Sequence, residues 1–344
     1  MNLRKQCSED NDQIIIALGD PAGIGMEVTL KALASQTLPK QLKPLLVGCR
    51  KSLTITYENL LSKGIQNVAN PANLEIDDLP LKEKLNLGKP SAATGAASFQ
   101  WLTRATELIQ HTSARALVTA PIAKHSWHAA GHHYPGQTER LAELARIDQA
   151  SMMFTAVSPK TGWRLNTLLA TTHIPLSRIC DALSPETIQA KLNILKDFCQ
   201  RFTVNPHLAV AGLNPHAGEQ GQLGNEEIEW LAPALENWRR ANPDVQLDGP
   251  LPPDTCWLTA AEAWQGYQGH QAPNGILALY HDQGLIPIKL LAFDNAVNTS
   301  LGLPFLRTSP DHGTGFDIAG QGRARSNSME AAIKAAWDLT AQTS

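Results

Sequence analysis

The 344-residue chain sets 29 Lys and Arg against 32 Asp and Glu, a formal charge of -3, so neither nucleic acid nor an anionic membrane has an electrostatic reason to bind it. Hydrophobic residues make up 43% and charged residues 18%, an ordinary globular composition with length for about two domains and no apolar run reaching the roughly 20 residues of a membrane span. The 5 cysteines (Cys7, Cys49, Cys180, Cys199 and Cys256) are scattered and form no CxxC pair, and the polar first residues lack a signal-peptide core, so a cytoplasmic protein in a reducing compartment is expected.

In chain order, short apolar runs at 14–18, 45–47, 116–119, 152–157, 165–170, 208–211, 276–280 and 286–291 predict strands covered on both faces. The first is followed by GDPAGIG from Gly19, whose glycines permit a tight turn and whose following helix start suits an anion. It is neither a GxGxxG nor a Walker loop, so a plain structural turn is an equal reading. The polar, proline-containing stretch 66–90 predicts irregular surface structure. Residues 91–111 predict an amphipathic helix with Phe99, Leu102 and Leu108 on its apolar side.

Further along, Ser184 before Pro185 predicts an N-cap, opening a helix that buries Ile188, Leu192, Leu195 and Phe198. Asn225 is expected to cap an acidic first turn of Glu226 and Glu227, and Asn327 with Glu330 to form a capping box on the last helix. Strand and helix alternate without internal repeat, which predicts an α/β fold with a largely parallel or mixed sheet.

The strongest chemical signal is a recurrence. His173, His216 and His281 each closely follow an apolar strand, and ligands of open α/β sheets bind beyond the carboxyl ends of strands. Three neutral imidazoles with one open position suit a catalytic transition-metal site, although any one histidine alone is more often a simple strand cap. The remaining histidines, including His132 and His133, lack that context. Lys124, the segment Gln137-Thr138-Glu139, and Lys289 and Arg307 flanking Asn298 supply groups that grip anions. Each cation alone is more commonly a solvated surface charge. A second glycine-rich loop, DHGTGFDIAG from Asp311, allows close approach to a flat or phosphorylated ligand, with Asp317 able to accept from a ribose; a plain surface loop is the alternative.

These pieces together resemble the 4-hydroxythreonine-4-phosphate dehydrogenase (PdxA) family. The matching segments are GDPAGIG, VTAPIAK from Val118, GQTERLAEL from Gly136, LLATTHIPL from Leu168, LNPHAGEQGQLGNEE from Leu213, GPLPPDT from Gly249, YHDQGLIPIK from Tyr280 and LGLPFLRTSPDHGTGFDIAG from Leu301. The resemblance implies two α/β/α lobes with mixed sheets, like isocitrate and isopropylmalate dehydrogenases. Approximate boundaries are 1–132 with 290–344 for the cofactor-side lobe and 133–289 for the metal and dimerisation lobe. It implies a homodimer with the active site at the subunit interface. His173, His216 and His281 correspond to ligands of one divalent ion (zinc, cobalt or magnesium). Gln137, Thr138, Lys289, Asn298 and Arg307 correspond to substrate-binding residues, and the loop with His312, Gly313, Thr314, Gly315 and Asp317 to the adenosine side of NAD or NADP. Arg323 and Arg325 keep both nucleotides in play.

The implied reaction oxidises 4-phosphooxy-L-threonine to 3-amino-2-oxo-4-phosphooxybutanoate, which decarboxylates to 3-amino-2-oxopropyl phosphate, in vitamin B6 biosynthesis. Asp254 and Asp282 are the candidate general bases, Asp282 alternatively orienting a ligating histidine. Two positions depart from the pattern: Gln137 stands where a histidine is usual, and Met26 where proline is common. Glutamine cannot become cationic, which leaves open a four-carbon sugar acid 4-phosphate as substrate. A phosphotransacetylase-like acyltransferase is the reading from another class; it has no need of the histidines.

Overall fold

The computed structural model describes residues 12–148, 150–267 and 271–341. They form two compact α/β units, one running up to Ala150 and resuming at Val297, the other spanning Ser151–Ala296.

The first unit opens with β1 (Gln13–Ala17), α1 (Gly25–Leu33), β2 (Lys43–Gly48), α2 (Arg50–Ser62) and β3 (Glu75–Asp78). It continues through α3 (Ala92–His111), β4 (Ala116–Thr119), α4 (Lys124–Ala129) and α5 (Gln137–Leu144). The second unit contains β5 (Ser151–Val157), β6 (Arg164–Leu169), α6 (Ile179–Ala182), α7 (Pro185–Cys199), β7 (His207–Ala211) and α8 (Ala232–Ala241). It ends with β8 (Gln246–Leu251), α9 (Leu258–Gln265), β9 (Gly275–Ala278) and α10 (His281–Ala292). The chain then returns to the first unit as β10 (Val297–Leu301), β11 (Leu306–Pro310) and α11 (Asn327–Asp338).

Strand order in the first unit is β3-β2-β1-β4-β11-β10, with only the β10–β11 hairpin antiparallel. In the second it is β5-β6-β9-β7-β8, antiparallel between β5 and β6 and parallel thereafter. Helices cover the central strands, so those strands need apolar residues on both faces. Ile14, Ile15 and Ile16 are all 0% exposed, and each such side chain contributes roughly 1.5–3 kcal/mol. Among the described residues no helix is long and apolar enough to cross a membrane.

Several local expectations differ from the structure. The run 286–291, expected as a strand, lies inside α10. A short apolar run does not distinguish strand from helix, and here Ile286 and Leu290 point outward while Leu285 and Ile288 are buried. Pro287 sits within that helix, an interior cost of about 3 kcal/mol that burial of Leu285, Ile288 and Ala292 offsets. Residues 66–90 contain β3, paired in parallel with β2. α3 is capped by Ser91 and buries Trp101, Leu102, Ala105 and Ile109, leaving Phe99 and Leu108 half-buried. Phe99 instead stacks on His132, with ring centroids 3.6 Å apart. Ser184 caps α7 as expected. Neither Asn225 nor Asn327 caps a helix through its side chain. Glu330 accepts from the Thr37 hydroxyl rather than closing a box, and Glu227 turns away from its own helix start to bind backbone N–H groups upstream.

Candidate functional site

The three histidine-bearing strands are neighbours in the second unit. β9 lies between β6 and β7, all parallel, so the chain leaves each at the same edge. Short hydrogen bonds tie these exits together. Thr171 Oγ1 donates to Leu279 O at 2.8 Å. Gln283, 8% exposed, accepts from Leu279 N and donates to Gly212 O, both at 2.7 Å. A buried amide with both ends satisfied holds its partners rigidly. Gln283 was not singled out from sequence, where it stands only as one residue of the YHDQGLIPIK segment.

His281 opens α10, and its ring centroid lies 5.3 Å from that of His173. The two line one open pocket with Thr172, Ile174, Leu176, Ile179, Tyr280 and Asp282. His281 Nδ1 is 2.7 Å from Asp282 Oδ1. An Nδ1–H donating across that contact would leave Nε2 as the nitrogen free for a metal, the arrangement common to ligating histidines. His216 stands apart, exposed, with Nδ1 3.1 Å from Glu219 Oε2. Among the described residues no group of three His, Cys, Asp or Glu side chains is close enough to hold a metal ion. The fold therefore brings two of the three imidazoles together within one chain. Asp254 is exposed on the turn after β8, outside the pocket lining. Lys289 lies half-buried on α10 with its ammonium 5.5 Å from the Phe293 ring.

In the first unit, Arg307 is 3% exposed. Its Nε and Nη2 donate to Thr119 Oγ1 at 3.0 and 2.7 Å, and Nη1 donates to Ser300 Oγ at 3.2 Å. These partners are hydroxyls, so among the described residues no hydrogen bond to a carboxylate neutralises the buried charge. Burial pushes the guanidinium down to about 10, with the charge of Glu139 acting in the opposite sense. The register explains the grouping: Ser300 pairs with Arg307 and Asn298 with Ser309 across the hairpin, and β11 runs beside β4, which ends at Thr119. Asn298 Oδ1 is buried without a hydrogen-bond partner among the described residues, as is Gln137 Oε1. Gln137 Nε2 donates to Ala120 O at 3.2 Å, and Thr138 follows it in the first turn of α5. A buried cation beside unsatisfied polar atoms is an arrangement that an anionic, hydrogen-bonding ligand completes.

The two glycine-rich loops also meet in this unit. Ile24 N donates to Thr314 O at 2.8 Å, and a Cβ on Gly23 would lie 2.7 Å from that oxygen. Asp20 is fully buried beneath the turn; burial raises its pKa, while the Ala22 N–H it accepts at 2.9 Å acts the other way. Lys31, paired to Glu27, donates to Gly322 O and Ala324 O at 2.9 and 2.7 Å, and Asn59 donates to Gly320 O at 2.8 Å. Helix side chains thus anchor the second loop. His312 Nδ1 lies 2.9 Å from Gly313 O and its Nε2 is buried with no hydrogen-bond partner among the described residues, Gly315 packs on Ile24, and Asp317 is exposed. The supports Lys31 and Asn59 carry no motif and were invisible in the sequence.

The profile of the family described as pyridoxal phosphate biosynthetic protein PdxA matches residues 40–336. The chain is 62% identical to a 4-hydroxythreonine-4-phosphate dehydrogenase of Synechococcus sp. (strain RCC307), over 95% of this chain and 99% of that one. It is 41% identical to a D-threonate 4-phosphate dehydrogenase of Salmonella typhimurium, over 95% and 98%. A 4-hydroxythreonine-4-phosphate dehydrogenase crystal structure from Klebsiella pneumoniae superposes with a TM-score of 0.81 at 36% identity, covering 97% of this chain and 99% of that one. With the buried cation of one unit and the paired imidazoles of the other in place, these likenesses make the chain a member of the PdxA family of pyridoxal phosphate biosynthetic proteins.

Proposed function

We propose that the enzyme oxidises 4-phosphooxy-L-threonine to 3-amino-2-oxo-4-phosphooxybutanoate, with NAD or NADP as hydride acceptor, and that the product decarboxylates to 3-amino-2-oxopropyl phosphate. The observation that carries this reading is the pairing of His173 with His281 beyond adjacent parallel strands, in a chain 62% identical to a relative named for that dehydrogenase.

The residues divide the work by chemistry. Arg307 with Asn298 holds an anionic group of the substrate, Gln137 and Thr138 add hydrogen bonds, and Lys289 is assigned to substrate binding by the family resemblance. The tautomer set by Asp282 suits His281 to a divalent ion, and His173 is the second donor of that set; zinc, cobalt and magnesium are the candidate ions, imidazole favouring the transition metals. Such an ion, when bound, polarises the hydroxyl and stabilises negative charge on the oxygen derived from it. Because Asp282 is committed to His281, Asp254 is the candidate for taking the hydroxyl proton. The loop from His312 to Asp317 is assigned to the adenosine end of the nucleotide, with Arg323 and Arg325 nearby in sequence for a 2'-phosphate.

NAD reduction measured with 4-phosphooxy-threonine against D-threonate and erythronate 4-phosphates tests the substrate. Turnover of 4-phosphooxy-threonine alone supports the reading, and turnover confined to the sugar acids overturns it. The packing of Gly23 on Thr314 gives a second test. In Gly23→Ala the new methyl pushes against Thr314 O, a small-to-large strain of roughly 1–3 kcal/mol. The KM for the dinucleotide should rise several-fold, with the KM for the phosphorylated substrate little changed.

A homodimer belongs to the same proposal. Ile286, Leu290 and Phe293 are 58%, 82% and 61% exposed and recur at helical spacing along the outer side of α10. Leu176 is 70% exposed and lines the histidine pocket. An apolar stripe of this kind suits a second copy of the chain, and a site completed at that interface accounts for His216 standing apart within one chain. Leu290→Asp should shift the protein from dimer to monomer in light scattering coupled to gel filtration, with loss of activity; an unchanged dimer would place the interface elsewhere.

A further inference from the structure

We infer that Glu227 is a positioning residue, holding the His216 segment in an otherwise unfavourable turn and so setting the direction of that imidazole. The inference rests on the role of His216 as third ligand of the proposed metal site, which the family resemblance implies, and deepens it.

Five consecutive residues, His216, Ala217, Gly218, Glu219 and Gln220, have φ of 53°, 53°, 80°, 42° and 56°, so the chain turns in the left-handed sense. Each non-glycine residue there is disfavoured by contact of its Cβ with backbone, and left-handed residues normally occur singly. Such a segment persists only where its surroundings over-determine it. Glu219, Gln220 and His216 are exposed, so packing of those side chains does not supply the constraint.

Glu227 does. It is 2% exposed, and its Oε1 accepts from Leu213 N and Asn214 N, both at 2.8 Å. Its Oε2 accepts from Asn214 Nδ2 at 2.8 Å, and Glu226 Oε2 accepts from the same amide at 2.8 Å. The carboxylate thus grips the entrance of the turn. It also lies under its middle: a Cβ on Gly218 would be 2.8 Å from Glu227 Oε2. A Cβ on Gly224 would be 2.3 Å from Asn214 Nδ2. The two glycines open the space in which the carboxylate and the amide meet. No atom of Glu227 lies in the histidine pocket, so its influence passes through the backbone of 213–218.

The test compares wild type, Glu227→Ala, Glu227→Gln and His216→Ala in the full chain. Amide hydrogen exchange of 213–224 is followed in metal-free protein, and Co(II) affinity by titration of its absorption spectrum. Glu227→Ala should speed exchange across 213–224 and weaken Co(II) binding about 10–100-fold, the usual effect of removing a group that orients a ligand. Glu227→Gln keeps an oxygen for the two backbone N–H groups and should restore most of both. A Glu227→Ala protein that melts earlier but exchanges and binds Co(II) as wild type does overturns the inference, as does a Gln variant no better than Ala. If His216→Ala binds Co(II) unchanged, the ligand role of His216 fails, while faster exchange in Glu227→Ala still establishes the clamp and unchanged exchange still removes it.

Discussion

His281→Ala is expected to lower kcat by roughly 100-fold or more while leaving the melting temperature nearly unchanged. Charge stabilisation by a bound ion is worth several kcal/mol, and each 1.36 kcal/mol is about tenfold in rate. The His281 side chain is 32% exposed and its polar contact is with Asp282, 70% exposed, so removing it buries no orphaned group. His173→Ala should behave alike, because the proposed site uses the two imidazoles together and losses within such a unit are not additive. The exposed His133, on the α4–α5 connection, is the control and should tolerate alanine. Steady-state kinetics with and without a chelator decides the matter. Full activity in the chelator, or a His281→Ala enzyme within a few-fold of wild type, would remove the metal from the mechanism.

Arg307→Met should separate binding from stability. The guanidinium is held in the interior by hydroxyls, with the charge of Glu139 offsetting its burial only in part, and a buried charge so compensated is costly to the fold. Replacing it with an apolar chain of similar length is expected to leave stability equal or raise it by about 1–3 kcal/mol, read as a higher melting temperature. The KM for the phosphorylated substrate should meanwhile rise about 100-fold or more, since a buried, charge-assisted contact to an anion is lost. Arg307→Lys restores charge but not the fork and should recover little. The depressed guanidinium also gives pH dependence with a definite sign. With its value pushed down to about 10, the native guanidinium is expected to give up its proton at a lower pH than in the unfolded chain. Anion affinity therefore falls as pH rises past that point, while the stability cost of the buried charge is relieved. A variant with unchanged KM would show that this cation does not meet the substrate.

Much of the molecule is legible in local chemistry. Strands such as β1 and β7 are apolar on both faces because helices cover them, so each announces itself as an uninterrupted run. Ser184 before Pro185 marks a helix start for the same local reason. The histidines stood out because each lies just past a strand, and where strands end is a property of the nearby chain. Membership of the PdxA family was likewise readable, because its segments keep their residue types in order along the chain.

What only the tertiary structure decided are relations between distant segments. The run 286–291 satisfies a strand pattern and became helix α10, because a surface of Ile286 and Leu290 erased the contrast that separates helix from strand. The order β6-β9-β7, which sets the histidine-bearing strands side by side, is a choice of partners that no single strand encodes. That His216 turns toward Glu219, apart from the His173–His281 pair, goes with the left-handed turn at 216–220, and that turn is the one Glu227 grips. In the sequence Glu227 is one more acid at a helix start. Its backbone partners at 213 and 214 come within hydrogen-bonding reach only when the chain folds back, so its role has no local signature.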